Sequence, residues 1–272
     1  MNGLGRSVVL ISLAALLAQP PSEGQEQVDV PKLGAAWSAM SSPPTADSWR
    51  CVGFRPRQYA EVNGDVIRIV PEPTRKDGPS DAPPAPMGEG GRRSSMRVNT
   101  SWLLGFDRGE FGGSLWLLAA EGAYVRLHEG PTLGFVRTAR HIAVLTGLSH
   151  MSMNSGAILL FDPVDLRARP VRIETKGSPT VGASEPEGGL MYATSVGVFR
   201  LQPDGTSTLV VPLGGELSSP TSLAVSGQVV VLAYRHFVLV TSAGRKTWYV
   251  EKACPQLVES AESSVGCSCW DK

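Results

Sequence analysis

The sequence predicts an all-β chain folded as a propeller of about five four-stranded blades. Three observations carry that expectation: a hairpin motif recurring about every 40 residues, short strand-like runs with no helical stripe between them, and an Asn-Gly turn opening the folded part. Ser114–Leu118 runs into the turn Ala119–Gly122, Ala157–Phe161 into Asp162–Asp165, Val198–Leu201 into Gln202–Gly205, and Phe237–Val240 into Thr241–Gly244. The last residues of those turns, Gly122, Asp165, Gly205 and Gly244, stand 43, 40 and 39 residues apart. Six blades or an irregular β-sandwich are the alternative ways to arrange the same strands.

Each repeat divides into four strand candidates. The second holds Thr132–Val136, His141–Leu145, Ala157–Phe161 and Pro170–Glu174. The third holds Thr180–Ala183, Leu190–Ala193, Val198–Leu201 and Thr208–Val211, and the fourth Thr221–Val225, Val229–Leu232, Phe237–Val240 and Thr247–Val250. The first has Trp102–Phe106, Leu115–Leu118 and Tyr124–Leu127, with its opening strand near Met96–Val98. Ahead of them, Tyr59–Val62 and Asp65–Val70 flank Asn63-Gly64, a strong hairpin signal. That hairpin is expected to supply a fifth blade or to close the ring.

The ends of the chain read differently. Arg6 and the amino terminus precede a short apolar run, Ser7–Leu17, followed by the small residue Ala18 and the polar, Pro-rich Gln19-Pro20-Pro21. This is the anatomy of a secretory signal peptide over residues 1–18, cut after Ala18, and predicts a secreted or periplasmic protein. The run is short for a membrane span, so no span is expected once the signal is removed. Residues 19–48 are expected to form a flexible leader, 49–252 the propeller with a mobile loop at 71–95, and 253–272 a cysteine-containing tail. Four cysteines, Cys51, Cys254, Cys267 and Cys269, form an even set that in an exported chain favours disulfides. Three pairings are open, of which a bridge within Cys267-Ser-Cys269 would be strained.

Composition removes several function classes. With 25 basic and 25 acidic side chains the formal charge is zero, so neither nucleic acid nor an anionic membrane is an expected partner. No Gly-x-Ser-x-Gly elbow, His-Glu-x-x-His, Cys-x-x-Cys or EF-hand loop occurs, so no metal ligands are assigned and the cofactor is left open.

The repeat does locate a candidate site. In a four-stranded blade the loops joining the second and third strands open on one face, with the links from one blade to the next. Here those loops are unequal: Asp107–Gly113, Leu148–Gly156, Ser195–Gly197 and Arg235-His236. Asp107, Glu110, His150, Asn154, Arg235 and His236 are therefore expected to share one rim, and loops on a rigid scaffold favour ligand sites.

The stretch Pro220–Phe237 resembles repeats of NHL-type and gluconolactonase-like propellers. Gly105–Trp116, with Gly147–His150 and Tyr234–Phe237, is similar to a group of exported bacterial propellers of unassigned function. The resemblance covers about residues 96–252 and implies the fold. The gluconolactonase group holds a divalent metal on a channel-lining Glu, Asn and Asp; at the comparable stretch of the fourth repeat this chain has Ser222 and Ser226, so no metal ligands carry over. The functional expectation is an exported binding module that recognises a protein or a cell-envelope glycan on its rim. A metal-dependent, lactonase-like hydrolase at the channel mouth is the alternative.

Overall fold

The structure is a computed structural model that describes residues 32–33, 35–40, 43–44, 58–63, 66–71, 82–214, 219–235 and 237–251. The expected signal peptide, all four cysteines, the Asn63-Gly64 turn's glycine and His236 lie outside the described residues.

Among the described residues, twenty strands account for the architecture. They are β1 (Lys32–Leu33), β2 (Trp37–Ala39), β3 (Gln58–Asn63), β4 (Val66–Pro71), β5 (Arg92–Val98), β6 (Ser101–Asp107), β7 (Gly113–Leu118), β8 (Tyr124–Glu129), β9 (Thr132–Arg137) and β10 (Ile142–His150). They continue with β11 (Met153–Phe161), β12 (Val171–Thr175), β13 (Val181–Ser184), β14 (Leu190–Ala193), β15 (Gly197–Leu201), β16 (Ser207–Pro212), β17 (Ser222–Ser226), β18 (Val229–Ala233), β19 (Phe237–Ser242) and β20 (Arg245–Glu251). Four successive antiparallel meanders, β5–β8, β9–β12, β13–β16 and β17–β20, make four sheets, and β1-β4-β3 makes a fifth of three strands. The first strand of each meander packs beside the first strand of the next, and β17 packs against β3. This is the propeller arrangement, with the 40-residue repeat as one blade.

What joins the blades is apolar packing between their flat faces. One cluster pairs Leu103, Leu115 and Leu117 of the first blade with Ile142, Val144, Leu159 and Phe161 of the second. Another pairs Ala143, Leu145 and Ile158 with Leu190, Tyr192 and Phe199. A third pairs Met191, Ala193 and Val198 with Leu232, Tyr234, Phe237 and Trp248. The fourth sets Val231, Val238 and Val240 against Ala60 and Ile67 of the three-stranded sheet. Neighbouring positions on one strand thus serve different cores: Ile142 and Val144 face backward, Ala143 and Leu145 forward. Both faces being buried explains why the middle strands read as unbroken apolar runs rather than alternating ones. Among the described residues no comparable cluster joins the three-stranded sheet to the first blade.

The termini depart from expectation. Within the segment expected to be a loose leader, β2 adds a fifth strand outside β20, with Trp37 opposite Glu251, and Met40 N–H donates to Trp248 O at 2.8 Å. Strand β1 runs parallel to β4. The expected mobile loop 71–95 differs too: its last four residues belong to β5, which begins at Arg92 rather than near Met96. The preceding stretch is tied to the first blade. Tyr124 Oη donates to Pro84 O at 2.9 Å and Trp116 Nε1 to Glu89 Oε1 at 3.0 Å.

One titrating group sits in this scaffold with a clear sign. His128 on β8 is half-buried, and burial, then the charge of Arg172, lower its pKa from the ordinary 6.5. The fold favours the neutral ring, so the unfolded chain takes up the proton first and stability falls as pH drops below about 6.5. His128→Gln is expected to flatten that acid-side loss, measured as the urea midpoint at pH 7.5 against pH 5.5. Equal losses in both proteins would remove His128 as the cause.

Candidate functional site

The second blade carries the tallest corner of the rim, and its construction differs from the sequence expectation. Leu148–Gly156 is not a loop. β10 and β11 stay paired to their tips, with Ser149 opposite Asn154 and His150 opposite Met153. The turn between them places Met151 at φ 51°, a left-handed conformation uncommon for a side chain of this kind. Strand alternation then decides where each polar group points. His150 lies on the same face as Ile142 and Val144, toward the first blade, where its Nδ1 is 3.1 Å from Glu110 Oε2. Asn154 lies on the opposite face. Its Nδ2 donates to Ser195 Oγ of the third blade at 2.9 Å, and its Oδ1 accepts from Ser178 N–H at 2.8 Å.

Glu110 belongs to a single 3-10 turn, Gly109–Phe111, that follows β6. Asp107 sets up this turn by accepting from Gly109 N–H through Oδ1 at 2.8 Å, an Asx arrangement. Gly109 and Gly112 both take positive φ, 61° and 87°, which is why glycines bracket the turn.

Inside this rim lies a cavity of about 350 Å³. Asp107 and Gly109 line it from the first blade, Gly147, Leu148 and Ser149 from the second, and Arg235 from the fourth. The links entering the third and fourth blades contribute Ser178, Thr180, Ser219 and Thr221, and Arg92 contributes from the start of β5. Two guanidinium groups, one carboxylate and a set of hydroxyls therefore converge at the place where the loops were expected to meet. Of the six residues singled out from sequence, Asp107 and Arg235 line the cavity, Glu110 pairs with His150 beside it, Asn154 ties the second blade to the third, and His236 lies outside the described residues. Among the described residues no group of three or more His, Cys, Asp or Glu side chains is placed to hold a metal ion.

Sequence reasoning missed the hydroxyl wall, although a signal was present. Gly130-Pro131-Thr132, Ser178-Pro179-Thr180 and Ser219-Pro220-Thr221 repeat one tripeptide at the entry to three blades. Its role is visible in the hydrogen bonds. Thr180 N–H donates to Ala193 O at 2.9 Å and Thr221 N–H to Ala233 O at 2.8 Å, each closing the first strand onto the end of the second. The Thr221 hydroxyl donates to Gln58 O at 2.6 Å, and Ser222 Oγ accepts from Ala60 N–H at 2.7 Å. Ser222, at the stretch where gluconolactonase-like propellers were expected to carry ligands, thus stitches the fourth blade to the three-stranded sheet.

Close approach at a glycine pair lets one such link reach the rim. Gly147 and Gly156 face each other across β10 and β11. A methyl on Gly156 would come 2.5 Å from both Pro179 Cδ and Thr146 O, one on Gly147 2.7 Å from Ser178 Oγ. The bare backbone leaves the space that Ser178-Pro179 fills. Gly156→Ala is expected to destabilise the fold by about 1–3 kcal/mol, the usual range for overpacking. Asn154→Ala, which strands the N–H of the buried Ser178, is expected to cost about 1–2 kcal/mol. Urea denaturation checks both; an unchanged midpoint for either variant removes the packing or hydrogen bond assigned to it.

No protein-family model matches the sequence, and no curated protein matches it. Among solved structures the chain is similar to an auxiliary nutrient binding protein from Bacteroides thetaiotaomicron (16% identity, TM-score 0.42), covering 60% of this chain and 42% of that one. It is similar to a gluconolactonase from Xanthomonas campestris (13% identity, TM-score 0.35), covering 58% and 55%. It is also similar to virginiamycin B lyase from Staphylococcus aureus (9% identity, TM-score 0.43), covering 72% and 64%. The chain spans less than two thirds of the length of each of these proteins. The fold is a β-propeller, loosely similar to the gluconolactonase-like type, and a cavity opens on its loop face. Among the described residues no helix is long and apolar enough to cross a membrane.

Proposed function

We propose that this propeller is a binding module whose ligand enters the rim cavity, in a protein exported by its N-terminal signal. One observation carries the reading: the corners of three blades and two inter-blade links bring Arg92, Arg235, Asp107 and several hydroxyls around one cavity of about 350 Å³, within the size range of small-ligand pockets. Among the described lining residues, two guanidinium groups stand with one carboxylate. A carboxylate group on the ligand suits them, because a planar guanidinium binds a carboxylate through two parallel hydrogen bonds. The hydroxyls of Ser149 and Ser178 line the same wall and offer further donors.

The cavity is held open by contacts that do not need the ligand. Asp107 spends one oxygen on Gly109 N–H, Thr180 and Thr221 close strand ends, and Asn154 bridges two blades. Preorganisation of this kind lowers the cost of ordering the site on binding.

Thermal unfolding in succinate, citrate and galacturonate tests the reading. A ligand at a hundred times its Kd adds about 2.7 kcal/mol, or a rise in Tm of roughly 5–10 °C for a domain of this size. At least one of the three is expected to raise the Tm, and Arg235→Gln is expected to abolish the rise. No shift with any carboxylate at 10 mM (an order-of-magnitude ceiling for a specific site), or a shift that persists in Arg235→Gln, would sink it.

A further inference from the structure

The first blade has a second face, away from the core it shares with the second blade. Residues paired directly across a sheet, and those two apart along a strand, project to the same side. Trp116 stands opposite Leu104, Tyr124 opposite Leu118, and Arg93 opposite Phe106. These side chains therefore share one side, while Leu103, Leu115 and Leu117 project to the other. Leu104 and Phe106 are 0% and 1% exposed, yet neither belongs to the cores that join the blades. A proline-rich strap, residues 82–91, is hydrogen-bonded to this face.

The strap begins Ala82-Pro83-Pro84-Ala85-Pro86. Proline fixes φ near about −65° and holds the residue before it out of the helical region, so this run is extended by its covalent structure. An extended proline run has no internal hydrogen bonds, and its carbonyls accept from outside. Two of them do so here. Tyr124 Oη donates to Pro84 O at 2.9 Å, and the Arg93 guanidinium donates to Pro83 O. Pro86 is buried. The chain then turns, with Glu89 N–H donating to Pro86 O at 3.2 Å, and Glu89 Oε1 accepts from Trp116 Nε1 at 3.0 Å. The Arg126 guanidinium lies 5.8 Å from the centre of the Trp116 ring and holds the indole from its flat side. A proline run laid against aromatic side chains is a general mode of peptide recognition.

We propose that this face of the first blade is a polyproline-recognition surface and that residues 82–89 are its tethered occupant. The ligand it fits is an extended run with two adjacent prolines, a third proline two residues on, and a carboxylate three residues beyond, as in Pro83, Pro84, Pro86 and Glu89. The three donors come from β5, β7 and β8, so the surface exists once the blade has folded. A peptide with no covalent link to β5 carries the same acceptors and fits the same place. None of Arg93, Trp116 and Tyr124 lines the rim cavity, and the inference stands apart from the ligand reading of that cavity.

The test is complementation in the full chain. The strap is weakened by replacing Pro83, Pro84 and Pro86 together with serine, and a synthetic peptide of residues 82–91 is titrated in. The Trp116 indole N–H signal, identified by its loss in Trp116→Phe, reports occupancy. The weakened variant is expected to bind the peptide with a Kd below about 1 mM and to return the indole signal toward its wild-type position. Wild type is expected to bind at least about tenfold more weakly, because its own strap competes at an effective concentration in the millimolar range. Tyr124→Phe in the weakened variant is expected to lose about three- to tenfold in affinity, the net worth of one hydrogen bond. Should the triple substitution prevent folding, Glu89→Ala keeps every proline and removes only the acceptor of Trp116. It is expected to bind the peptide at least about threefold more tightly than wild type. No binding to a folded weakened variant at about 1 mM peptide overturns the inference. Equal binding of a peptide with serine at its three prolines, or an affinity unmoved by Tyr124→Phe, overturns it as well.

Discussion

Burial of both faces of the second, third and fourth blades is the constraint on which this molecule depends. A single four-stranded meander of 40 residues cannot form a core of its own. Set face to face with its neighbours, it contributes to two. The division runs residue by residue along each strand, as Ala143 and Leu145 pack forward while Ile142 and Val144 pack back. A register slip of one residue in β10 would exchange these sets and carry His150 away from Glu110. The packing that stabilises the blades therefore also aims the polar groups of the rim.

The rim extends that logic into solvent. Where β10 and β11 rise above the core, alternation continues, but polar side chains enter the run. Thr146, Leu148 and His150 follow Ile142 and Val144 on one face, and Gly147 and Ser149 follow Leu145 on the other. The inter-blade contact changes character with height, from Leu and Ile in the core to a Glu–His pair and an Asn–Ser hydrogen bond at the top. Polar clasps at exposed corners contribute modestly to stability. Their larger effect is positional, holding neighbouring corners at fixed separations around the cavity.

Much of this was legible in the sequence, for identifiable reasons. Turn residues such as Gly205 and Gly244, with φ of 86° and 78°, recur because the hairpins need them, so the repeat could be read by subtraction. The middle strands could be read because they are buried on both sides. The inner strands were harder. Arg92–Val98 is mostly polar and only its last residue is buried, because a first strand beside the central opening meets little apolar surface. Nothing in Arg-Arg-Ser-Ser separates such a strand from a loop, so Arg92 was missed as a lining residue. The Ser-Pro-Thr links were overlooked for a different reason: their repeat lies at blade entries rather than at the hairpin turns by which the units were aligned.

Local chemistry and periodicity, which act over a few residues, determined the strand class, the repeat length and the face on which the unequal loops open; all of these could be read from the chain alone. The tertiary structure decided the rest: that Arg92 and Arg235, 143 positions apart in the chain, line one cavity, and that a presumed loop is a paired two-stranded tip. It also decided that two strands from the N-terminal segment pair with the edges of sheets formed by the later chain. These are consequences of closing sheet against sheet, a long-range free energy that no window of sequence contains.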